Sequence, residues 1–72
     1  MNDDAAKKFS SEMSSIMRQI EESTESLRHS CGQEEFEFLR GQLGKVAATL
    51  IDEVLNPLFT EYPEVKPPGY LL

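Results

Sequence analysis

The sequence predicts an all-α fold: an antiparallel helical hairpin that dimerises into a four-helix bundle and carries an extended, proline-rich C-terminal tail. Three observations lead there. Apolar residues recur at spacings of three and four through most of the chain, the period of a helix face. A short Ser-Cys-Gly-Gln break at positions 30–33 divides them into two runs. The second run carries more apolar surface in its later half than the first can cover. The expected organisation is a hairpin over 1–59, with helix one at about 3–30 and helix two at about 34–56, then a tail over 60–72.

Helix one begins where Asn2 or Asp3 can cap it, and Asp3 and Asp4 place negative charge at the positive end of the helix dipole. Phe9, Met13, Ile16, Met17, Ile20, Leu27 and Cys31, with Thr24, fall within about 100° of arc on a helical wheel. Glu12, Arg18, Gln19, Glu21, Glu22, Glu25, Arg28 and seven serines make up the remaining surface. So narrow a stripe meets neighbours along one side.

At the break, Gly32 suits the left-handed residue that ends a helix, and Ser30 with Gln33 has the spacing of a capping box for the next one. An uninterrupted helix is the alternative, because one interior glycine costs only about 1 kcal/mol relative to alanine. Stripe phase decides. Carried on at about 100° per residue, Phe36, Leu39 and Leu43 would lie roughly 80–140° around the cylinder from the first stripe. A turn lets both stripes face one core, which makes the helices antiparallel neighbours.

Helix two opens with Glu34, Glu35 and Glu37 and is expected to stop near Asn56, ahead of Pro57. One stripe is Phe36, Leu39, Leu43, Val46, Leu50 and Val54. A second is Gly44, Ala47, Ala48, Ile51 and Leu55, with Leu58 and Phe59 if the helix passes the proline. Together they cover about 200° of the wheel, and the surplus calls for a second copy. The contact between copies is expected at Gly44, Ala47, Ala48, Ile51, Leu55 and Leu58, the small residues letting backbones approach. Gly41 and Gly44 together also mark a place where the helix could break. Beyond Phe59 three prolines, Pro63, Pro67 and Pro68, punctuate the chain, and the segment reads as extended. Its Tyr62, Val65, Tyr70 and Leu71 are candidates to fold back over the helices or to hold a partner.

Size and composition narrow the function. A core in 72 residues rarely supplies more than about 3–5 kcal/mol, so small chains add disulfides, a metal or a partner. With one cysteine, Cys31, no disulfide closes within the chain, and Cys31 and His29 fall short of the usual four Cys/His zinc ligands. Leu, Ile, Val and Phe still make up 18 of the 72 residues, enough for folding. The formal charge is −6, and the seven basic residues are scattered from Lys7 to Lys66, which disfavours direct binding of nucleic acid or anionic membranes. No apolar run reaches transmembrane length and the first residues lack a signal-peptide core; a lone thiol suits a reducing compartment, so a cytoplasmic location is expected.

Candidate chemistry is thin. Glu25 and His29 share a face one turn apart, but Cys31 lies about 160° from Glu25, so they make no metal cluster. Nucleophilic catalysis by Cys31 with His29 needs an oriented base, an oxyanion site and a pocket that two helices do not enclose. No catalytic residue, metal or cofactor is expected. Pro63 and Pro67 are four apart, the wrong spacing for a P-x-x-P ligand. The expectation is a non-catalytic protein acting through protein–protein contacts as an adaptor, regulator or inhibitor, with itself as first partner. The alternatives are an accessory subunit whose apolar stripe a larger complex covers, and an acidic mimic of nucleic acid.

Overall fold

The computed structural model describes residues 1–66. They form helix α1 (Asp3–Arg28), helix α2 (Gln33–Leu50), a π-helical turn (Ile51–Leu55), helix α3 (Asn56–Glu61) and a 3-10 turn (Pro63–Val65), with no strand among the described residues. The hairpin is long and narrow, with extents of 45 × 20 × 17 Å. Its radius of gyration is 14.4 Å, against about 11 Å for a compact domain of this length.

Asn2 caps α1: its Oδ1 accepts the Ala5 N–H at 2.7 Å, and the Asn2 carbonyl accepts from Ala6. At the other end the chain reverses in four residues. The N–H groups of Ser30 and Cys31 both return to the Leu27 carbonyl, and the Ser30 hydroxyl donates to the Ser26 carbonyl. Two of the orphan carbonyls of the last turn, those of Ser26 and Leu27, are thereby used. Two sequence expectations give way here. Gly32 is not left-handed: it has φ −71° and ψ 166° and sits as the N-cap of α2. The capping box from Ser30 does not form, because Ser30 is spent on α1, and no side chain caps α2.

α2 passes Gly41 and Gly44 unbroken. The expected stop at Asn56 is absent, since the helical path runs on to Glu61 and closes with the Tyr62 N–H on the Leu58 carbonyl at 2.8 Å. Pro57 lies inside this continued path, at the start of α3 and directly after the π-turn. The π-turn before it carries the adjustment: the Asn56 N–H reaches back five residues to the Ile51 carbonyl. That widened ladder lies where a proline ring would otherwise strike the carbonyl four residues back.

The π-turn also resets which residues face α1. In an unbroken α-helix Leu55, Leu58 and Phe59 would lie about 80° out of phase with Phe36, Leu43, Ala47 and Ile51; one extra residue in a turn sets them back by about 100°, leaving roughly 20°. They are accordingly buried. Leu55, Leu58, Phe59 and Ala6 form the core cluster, with Phe9, Met13, Met17, Ile51, Tyr62 and Val65 packed against it. Leu55 is the one large side chain that is fully buried among the described residues.

Residues 60–65 do not form the expected extended tail. They continue as the end of α3 and the 3-10 turn, and they lie on the first turns of α1. The Tyr62 hydroxyl donates to the Met1 carbonyl, and the buried Ser10 hydroxyl donates to the Val65 carbonyl at 3.4 Å. Tyr70 and Leu71 lie outside the described residues.

Candidate functional site

The surfaces able to meet another molecule are set by the two sides of α2. Towards α1, in the middle of the hairpin, an open groove separates the helices. Ile20, Thr24, Leu43, Gly44 and Ala47 line it together with Glu21, Glu25, Glu37, Arg40 and Gly41. Gly41 and Gly44 send no side chain into it. Its charges partly pair within each helix: Arg28 Nε donates to Glu25 Oε1 at 2.9 Å, and Arg40 lies 3.7 Å from Glu37. Arg28 also stacks over Phe36, its guanidinium carbon 4.7 Å from the ring centroid, and so roofs the only large buried side chain at the loop end among the described residues.

The outer side of α2 and of the π-turn that follows it carries partly exposed apolar surface. Val46, Leu50 and Val54 form one row at i, i+4, i+8, and Lys45, Thr49 and Glu53 form a second row beside it; the six line one shallow depression. Val46 is 56% exposed and Leu50 and Val54 are half-buried. Thr49 donates its hydroxyl to the Lys45 carbonyl at 2.9 Å, so its polar atom is already satisfied. Lys45 and Glu53 make no ion pair among the described residues.

The residues expected at a contact between copies therefore divide. Leu55 and Leu58 are covered within the chain, packed on Ala6. Ala47 and Ile51 are half-buried on the α1 side, while Gly44 and Ala48 are exposed. Of the expected tail contacts, Tyr62 and Val65 are half-buried against the core of their own chain. The sequence places Val46, Leu50 and Val54 in the stripe turned to helix one, whereas in the structure Val46 is exposed and Leu50 and Val54 are only half-buried. Sequence reasoning also passed over Phe38, 64% exposed and on neither stripe. An aromatic off both stripes was the available signal.

No chemistry gathers at Glu25, His29 and Cys31. No group of three His, Cys, Asp or Glu fit to hold a metal is found among the described residues. His29 is exposed, Glu25 is paired with Arg28, and Cys31 is half-buried with its thiol donating to the Leu27 carbonyl at 3.2 Å. Partial burial, then the negative charge of neighbouring Glu35, pushes the Cys31 thiol above its ordinary pKa, which is opposite to the activation a nucleophile needs.

Fold and surface together define a small all-helical hairpin with open apolar ground on its longer composite helix. No described helix is long and apolar enough to cross a membrane. No known family model matches the chain, and no curated protein or solved structure is significantly similar to it.

Proposed function

We propose that this chain is a non-catalytic helical protein that works through contacts with other protein chains, a second copy being the first of them. The carrying observation is the apolar row Val46, Leu50 and Val54, which the described residues leave partly exposed although the core holds only Ala6, Phe36, Leu55, Leu58 and Phe59 as buried apolar residues among those described. A core this small supplies little stability on its own, and further burial along that row would add to it. The lone thiol is in keeping with a cytoplasmic setting.

The same small core favours a second reading, an accessory subunit folded only within a larger complex. Sedimentation of the pure chain with circular dichroism separates the two. A helical dimer or larger species supports the first reading, and a molten or aggregated chain supports the second. A well-folded monomer at every concentration overturns both. Capture experiments on any further partner should use a chain ending at Lys66, because ending it at Phe59 would strip Tyr62 and Val65 from the core.

A further inference from the structure

We infer that two copies pair antiparallel across the outer face of α2, about a two-fold axis passing beside Thr49 and Leu50. The inference rests on the self-pairing reading above and adds the surface, the direction and the register. The argument is one of charge and symmetry. The apolar row Val46, Leu50, Val54 and the polar row Lys45, Thr49, Glu53 run side by side, each centred on its middle member. An antiparallel two-fold keeps each row on the same flank in both copies and reverses its order. Val46 then meets Val54 of the other copy, Leu50 meets its own equivalent, and Lys45 meets Glu53, twice per dimer. A parallel two-fold sends the polar rows to opposite flanks, where neither charge finds its complement.

The occupant that fits this face is thus the face itself. Lys45 and Glu53, without ion pairs among the described residues, gain one each. Thr49 can be covered at little cost because its hydroxyl is already bonded to the Lys45 carbonyl. A contact about ten residues of helix long is a small one, so a weak dimer is expected, and the measurement should extend to some hundreds of micromolar.

The test is sedimentation equilibrium of the full chain at low ionic strength, with circular dichroism confirming that each variant stays helical. Val46→Glu is the first variant: at 56% exposure it leaves the monomer intact, and it should weaken the dimer at least about tenfold by setting a carboxylate in the apolar row. Lys45→Glu and Glu53→Lys should each weaken it about three- to tenfold, since each turns two attractive pairs into repulsive ones. The double reversal, Lys45→Glu with Glu53→Lys, should return it to near the original strength.

The single reversals also exclude a general charge effect. Lys45→Glu takes the formal charge from −6 to −8 and Glu53→Lys takes it to −4, so net repulsion alone would move the two in opposite directions. That result would overturn the register. A wild-type monomer throughout would overturn the inference together with the self-pairing reading. A wild-type dimer indifferent to Val46→Glu and to both reversals would overturn this face alone.

Discussion

At one end of the hairpin Leu55, Leu58 and Phe59 lie buried against Ala6, and Phe9, Met13, Met17, Tyr62 and Val65 close around them. At the other, Phe36 is buried beneath Arg28, and the helices are joined by four residues. Between these ends the groove from Ile20 to Ala47 stays open. The difference follows from connectivity. At the loop end covalent linkage keeps the helices together, so few contacts suffice. At the far end residues some fifty positions apart must be held by burial, because closing a long loop costs more entropy than closing a short one.

The largest effect should come from breaking the far end. Leu55→Ala empties a fully buried site, a change worth about 2–5 kcal/mol, comparable to the whole stability of a chain this size. The expected outcome is unfolding at room temperature or a melting point lowered by at least about 10 °C, followed by circular dichroism. A melt unchanged by this substitution would show that burial at the far end does not hold the hairpin together.

Phe36→Ala probes the loop end and should cost less, about 1.5–3 kcal/mol, because its cover is a flexible and partly exposed arginine. Hydrogen exchange gives the sharper readout. Amides from Leu27 to Leu43 should lose protection while those of Leu55 to Glu61 keep theirs. Equal loss along the chain would mean that the two ends open as one unit, and the comparison between them would lose its energetic content.

Much of this architecture could be read from the residues, and the part that could not has a definite cause. Asn2 ahead of two aspartates marks a helix start through donor satisfaction and charge, which act locally. The reversal after Arg28 shows in the change of stripe phase. The π-turn leaves no such mark: Ile51–Leu55 is ordinary helical sequence, and its extra residue is forced by what Leu55, Leu58 and Phe59 must reach. Pro57 was the one local hint, and it admits two meanings, a stop or a residue within a continuing helix. Choosing the stop keeps a constant phase through Leu55. A constant phase then counts Leu55 and Leu58 as surplus surface and the row at Val46, Leu50 and Val54 as part of the stripe turned to helix one. One slipped residue exchanges the inside and outside of the candidate site.

The smallest expected effect tests that exchange directly. Gly44 lies in the middle of α2, exposed, and a Cβ built there meets no atom within 4 Å. Gly44→Ala should therefore stabilise the chain by about 0.5–1 kcal/mol, the ordinary gain for alanine over glycine inside a helix, raising the melting point by a few degrees. Its effect on association depends on which side of α2 another copy occupies. If backbones approach closely over Gly44 and Ala48, the added methyl group separates them and the dimer weakens in sedimentation. If the contact is centred on Leu50, roughly 120° away around the helix, the methyl group lies outside it. The same substitution then raises the melting point and leaves the dissociation constant where it was.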